Sequence, residues 1–143
     1  MVGAGDAGPE QRESADEVGR LLGERGAVLV CGGLGGVMEA ACRGAKEAGG
    51  TTLGILPGLD RAQANPYVEV AVPTGLGEAR NALVVRAADA LIAVGGGYGT
   101  LSEIALALKT GKRVVGLASF ELEGMTQAGS PDEAVRAALA GRP

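Results

Sequence analysis

Residues 94–103 read VGGGYGTLSE: glycines at 95, 96, 97 and 99, a hydroxyl at Thr100 and a carboxylate at Glu103. The stretch follows an apolar run and opens a helix-period segment. Gly95, Gly96, Gly97 and Gly99, with Tyr98 and Thr100, therefore lie where a strand hands over to a helix. In that position glycines let the backbone touch a ligand without a Cβ in the way. A helix N-terminus favours an anion such as a phosphate. Thr100 either adds its hydroxyl to a phosphate oxygen or caps the helix. Glu103 falls in the expected first helical turn, where the dipole alone could account for it; its other reading is a group that meets the ligand beside the phosphate. The backbone at Gly97 and Gly99 is expected to need either a positive φ or a ligand at van der Waals distance.

A second loop at 31–39, CGGLGGVMEA with the residue that follows, has the same strand–glycine–helix order. Gly32, Gly33, Gly35 and Gly36 fit either an anion cradle or close helix–sheet packing. Four glycines exceed what packing alone requires, which favours the anion. A third glycine set, Gly3, Gly5 and Gly8, satisfies G-x-G-x-x-G. A dinucleotide fingerprint also needs a full strand before it and an acid closing the next strand. At most two strand residues precede it and the next strand ends in Cys31-Gly32-Gly33, so it reads as an ordinary strand–helix turn. The Gly-Lys-Ser/Thr ending of a P-loop is absent.

Cys31 and Cys42 stand eleven positions apart and the chain has no His. A zinc site and a Cys-His or Ser-His pair are thereby disfavoured; two reduced thiols in a cytoplasmic protein fit better. Net charge is −4 with no run of Lys or Arg, which argues against a nucleic-acid partner. No apolar run reaches membrane-spanning length and no signal-peptide pattern opens the chain.

The elements that must hold these loops alternate in period. Strand-like runs fall at 27–31, 51–56, 67–72, 90–94 and 113–117. Between them Val18, Leu21 and Leu22 mark one helix face, and Leu101, Ile104, Ala105 and Leu108 another. Val37, Ala41, Ala45 and Ala48 give a helix with a small-residue face suited to a sheet. Gly49-Gly50 and Gly111 stop two helices. The chain holds 26 glycines, 46% apolar residues and 2% aromatics, so its core is aliphatic, as in helix-covered parallel sheets. The expected architecture is α/β: a Rossmann-like, doubly wound parallel sheet with helices on both faces, forming one domain over 1–143. Residues 1–2 are too short for a full first strand, so either that strand is abbreviated or the chain start is truncated. Residues 125–130 read as a loop, and Ser130-Pro131-Asp132-Glu133 as the start of a last helix.

GGGYGTLSE resembles the P-G-G-x-G-T-x-x-E motif of the "lonely guy" family of cytokinin-activating phosphoribohydrolases, and CGGLGGVMEA is similar to that family's first glycine loop. Glu78-Ala79-Arg80-Asn81 falls where the family has an Arg-Lys pair. The likeness runs from about residue 26 to 116. Gly95 stands for the motif Pro and Asn81 for the motif Lys, as in a bacterial branch that includes relatives of molybdenum-cofactor carrier proteins. The resemblance implies that Arg80 and Glu103 match the family's catalytic pair. It further implies a nucleoside 5′-monophosphate substrate, no metal, no required cofactor, and a homodimer or higher assembly. Within that resemblance two functions share one pocket: hydrolysis of an N-glycosidic bond, or non-catalytic carriage or sensing of a nucleotide or molybdenum cofactor, with Asn81 among the ligand contacts.

Overall fold

The computed structural model describes residues 1–141. The alternation of periods becomes β1 (Val2–Gly3), α1 (Pro9–Glu24), β2 (Leu29–Cys31), α2 (Val37–Glu47), β3 (Thr52–Leu56), β4 (Val70–Pro73), α3 (Asn81–Ala87), β5 (Ala90–Val94), α4 (Tyr98–Lys109), β6 (Arg113–Leu117), β7 (Thr126–Ala128) and α5 (Pro131–Leu139). Every strand pairing is parallel, in the orders β1-β5-β6-β7 and β2-β3-β4. The Met1 nitrogen donates to Val30 O at 2.9 Å, so the two ladders meet at β1 and β2. The chain order therefore reverses at β1, the switch point at which open α/β sheets bind ligands.

Alternation along the strands divides the core. Ile92, Val94, Val115 and Leu117 join the cluster formed with α1, α2 and α5, while Leu91, Ala93 and Val114 join Val84, Val85, Ile104 and Ala107 of α3 and α4. Both faces of the strands are thus buried, which explains their unbroken apolar runs.

Four expectations change. Residues 126–128 form β7 and not a loop, pairing with β6 from Val115↔Thr126 to Leu117↔Ala128. Thr126 and Gln127 are exposed on this edge strand, so no apolar alternation announced it. The run at 67–72 becomes strand only from Val70, because Val68 N still donates to Asn65 O in a turn at 3.2 Å. The run at 27–31 starts only at Leu29. The small face of α2 serves a helix more than the sheet: Gly44 packs on the α1 backbone at Asp16, and Gly19 of α1 packs on Ala41 O. The last helix starts as read, with Ser130 Oγ accepting from Glu133 N at 3.2 Å.

Candidate active site at the sheet's switch point

The C-terminal ends of β1, β2 and β5 open onto a cavity of about 300 Å³. Its wall includes Val2, Gly3, Ala4 and Gly5, then Gly32 and Met38, then Arg80 and Asn81, and finally Gly97, Gly99, Thr100 and Glu103. Residues from every predicted loop, more than sixty positions apart, thus converge on one hollow.

Arg80 ends a 3₁₀ turn, Gly77–Arg80, and Asn81 begins α3. Gly77, at φ 58°, donates its N–H to Pro57 O at 2.9 Å and anchors that turn to the end of β3. Lys112 secures the other end of α3 by donating to Val85 O at 2.7 Å and Arg86 O at 3.1 Å, which places a cation where the helix carbonyls lack partners. The backbone around Arg80 is therefore anchored at the 3₁₀ turn and at the far end of α3. The Arg80 guanidinium donates from Nη1 to Asn81 Oδ1 and from Nη2 to Gly32 O at 3.4 Å. A Cβ at Gly32 would lie 2.5 Å from Arg80 Nη2 and 2.9 Å from Met38 Sδ, so only glycine leaves room for this arrangement. Arg80 is 9% exposed, and its Nε is buried without a hydrogen-bond partner. Burial also holds the guanidinium pKa below its ordinary value, opposed by the nearby Glu103 charge. A buried cation with an unmet donor is costly unless an anion meets it.

Glu103 is 8% exposed, and burial pushes its carboxyl up to about 7 against the pull of the Met1 ammonium and Arg80. The carboxyl can thus hold or release a proton near neutrality, as general acid–base work requires. Its place in the helix differs from expectation. Because α4 begins at Tyr98, with Gly97 at its N-cap, Glu103 lies in the second turn, and no side chain caps the helix. Thr100 is inside the helix and 3% exposed, so it is not the cap. The first-turn amides of α4 have no intrahelical acceptor and stand at the cavity wall.

The remaining glycines take other positions. Gly33, Gly35, Gly36, Gly95, Gly96 and Tyr98 are not in the wall of this cavity. Gly36, at φ 65°, lets the α2 N-terminus reach the first loop, where Val37 N donates to Ala4 O at 3.0 Å. Gly33 packs its backbone against Leu56. Positive φ occurs at Gly95 and Gly96, at 56° and 120°, and not at Gly97, whose φ is −118°. Tyr98 is 92% exposed. Sequence reasoning missed Met38 and the Val2–Gly5 wall. The G-x-G-x-x-G pattern was the available signal for the latter, read as a turn alone.

Comparison with known proteins matches this geometry over nearly the whole chain. The molybdenum cofactor binding protein of Rippkaea orientalis superposes with a TM-score of 0.87 at 40% identity, covering 92% of this chain and 87% of that one. The molybdenum cofactor carrier protein of Chlamydomonas reinhardtii does so with a TM-score of 0.83 at 36% identity, covering 94% and 89%. The rice (Oryza sativa subsp. japonica) cytokinin riboside 5′-monophosphate phosphoribohydrolase LOG is 37% identical over 97 residues, 65% of this chain but only 40% of the enzyme's length. Those likenesses agree with the resemblance seen in the glycine loops, both in superfamily and in branch. With residues 1–140 matching it, the chain belongs to the SLOG cluster4 family.

Proposed function

We propose that the switch-point cavity binds a phosphorylated, nucleotide- or pterin-like ligand. The observation that carries this reading is the buried Arg80 guanidinium, whose Nε lacks a partner beside the uncapped start of α4. In this arrangement the phosphate sits on the first-turn amides of α4 and on Arg80, with a charge-assisted contact to the arginine. Asn81 orients the guanidinium through Nη1. Glu103, one turn further along α4, then faces the sugar or the pterin. The cavity residues fit the phosphate of a molybdenum cofactor as well as that of a nucleoside monophosphate. The similarity to molybdenum cofactor proteins over more than nine-tenths of the chain supports the former.

The position of Gly97 allows a sharp test. A Cβ there would meet nothing within 4 Å, and the residue needs no positive φ. Gly97→Val is therefore expected to leave the melting temperature of the free protein nearly unchanged while filling the anion subsite. Wild type at a hundredfold excess of AMP over its dissociation constant should gain about 2.7 kcal/mol of stability, and the variant should gain none. Arg80→Ala should weaken AMP by about 1.5–3 kcal/mol, the range for a hydrogen bond to a charged group. A ligand-induced rise in melting temperature that survives Gly97→Val removes α4 from the phosphate site.

Glu103 favours a second reading, hydrolysis of a nucleoside 5′-monophosphate. Water attacks C1′, the C1′–N bond breaks through an oxocarbenium-like state that the carboxylate stabilises, and the water proton passes through the carboxylate to the departing base nitrogen. Release of free base and ribose 5-phosphate from AMP by the purified protein distinguishes this enzyme from a carrier, which binds AMP or a pterin phosphate without turnover.

We further propose that the protein is a cytoplasmic homodimer or larger assembly. Leu76, Leu83 and Tyr98 are exposed, and Leu83 and Tyr98 lie on the two helices that carry the site. Such apolar exposure suits a partner copy. Light scattering at micromolar concentration is expected to give at least twice the 14.1 kDa chain mass; a monomer mass contradicts it.

A further inference from the structure

The two cysteines are a buried thiol pair that the ligand site leaves unused. They come from different elements: Cys31 ends β2 and Cys42 lies mid-way along α2. Both side chains are fully buried, and their sulfurs lie 3.5 Å apart in a thiol hydrogen bond. Cys31 Sγ also accepts the Gly33 N–H at 3.3 Å. The next residue, Gly32, forms cavity wall and its carbonyl holds Arg80 Nη2.

We propose that Cys31 and Cys42 form a reversible intrachain disulfide beneath the cavity, and that closing it loosens the Gly32 contact that positions Arg80. The second half rests on the reading of the cavity as a phosphate site. Bond formation needs the sulfurs to close by about 1.5 Å, to a bond of roughly 2.05 Å. A shift of that size must be taken up by the end of β2, by α2, or by both. The α2 backbone is locked against α1 through Gly44 and Gly19, so the glycine-rich end of β2 yields first. Once in a disulfide, Cys31 Sγ is a poorer acceptor for the Gly33 amide, and the turn that presents Gly32 O loses a tether.

The oxidant is a peroxide. Cys31 sulfur attacks one peroxide oxygen, the O–O bond breaks, and one water leaves with Cys31 as a sulfenic acid. Cys42 sulfur then attacks Cys31 Sγ, the S–O bond breaks, and a second water leaves. Two thiols and hydrogen peroxide thus become one disulfide and two waters, with two electrons passing to the peroxide. Cys31 is the attacking group, because its sulfur already accepts the Gly33 N–H, a contact that favours a thiolate, while pairing with Cys31 and then burial raise the pKa of Cys42.

The test treats the full chain with hydrogen peroxide, alkylates it under denaturing conditions, and reads intact mass. Hydrogen exchange at residues 32–36 and AMP affinity are then compared before and after oxidation. Oxidised wild type is expected to lose two hydrogens, to resist alkylation until a dithiol reduces it, and to exchange faster at 32–36. AMP should bind about tenfold more weakly, the equivalent of one charge-assisted hydrogen bond. Cys42→Ala, or Cys42→Ser if the alanine variant folds poorly, should stop at the Cys31 sulfenic acid, gaining one oxygen instead of losing two hydrogens, and should keep its exchange at 32–36 unchanged. Two thiols that stay alkylatable, a bond formed between chains, or a disulfide with unchanged exchange at 32–36 each overturn the proposal. Should reduced wild type bind no AMP, the phosphate reading fails by itself, while mass and exchange still decide the disulfide and its reach.

Discussion

Alanine in place of Gly44 is expected to destabilise the protein by about 3 kcal/mol or more, and valine to prevent folding. In an isolated helix the glycine-to-alanine change stabilises by about 1 kcal/mol, because glycine loses more backbone freedom on folding. Here the sign reverses. A Cβ on Gly44 would sit far inside 3.0 Å of Asp16 O and 2.9 Å from Arg20 N, both backbone atoms of α1 that cannot swing aside. Gly19 makes the reciprocal approach to Ala41 O, so the helices are locked at two points. Overpacking a tight contact costs typically 1–3 kcal/mol. A rigid backbone clash falls at or beyond the top of that range, against a total stability of about 5–15 kcal/mol. Urea unfolding of Gly44→Ala measures it, and a midpoint equal to or above wild type refutes the close crossing.

Glu103→Gln should stabilise the protein above neutral pH and remove any turnover of AMP. The carboxyl titrates near 4.5 in the unfolded chain and near 7 in the folded one, where burial disfavours its charge. The folded state therefore binds the proton more tightly. No stability is lost below about pH 4.5; the loss grows as pH rises between the two values and is complete above pH 7. At 1.36 kcal/mol per pKa unit the shift is worth about 3 kcal/mol. Glutamine keeps the shape without the charge, so the gap between variant and wild type should be near zero at pH 4.5 and about 3 kcal/mol at pH 8. An equal gap at both pH values, read from urea midpoints, shows that the carboxyl is not titrating in this range. A residue kept at such a cost in stability is expected at a site whose chemistry needs the proton.

Glu103 and Arg80 also show how far local sequence could reach. The five strand-like runs and the helix faces were legible because burial on both sides of a parallel sheet leaves unbroken Val, Leu, Ile and Ala runs, and glycines mark their ends. Two of those runs, at 90–94 and 113–117, match strands residue for residue. Ser130 with Pro131 announced α5 through short-range capping chemistry. The glycine loops and Glu103 were named from the local pattern, and Arg80 and Asn81 by resemblance alone. An arginine within a polar turn carries no local sign that it will be buried.

What the sequence by itself determined, then, is whatever depends on neighbours along the chain: element type, helix ends, and the glycine-rich strand–helix turns. Tertiary structure decided the rest, because each remaining feature depends on groups distant in sequence. Thr126–Ala128 became a strand because β6 offered a free parallel edge, with no apolar alternation of its own to declare it. Gly33 and Gly36 went to packing and Gly32 to the cavity wall because Leu56, Ala4 and Arg80 approach them from elsewhere. Val2–Gly5 joined the site because the strand order reverses at β1. The buried charge of Arg80, the raised pKa of Glu103 and the 3.5 Å approach of Cys31 to Cys42 exist only once β2, α2, α3 and α4 close around one hollow and exclude water from it.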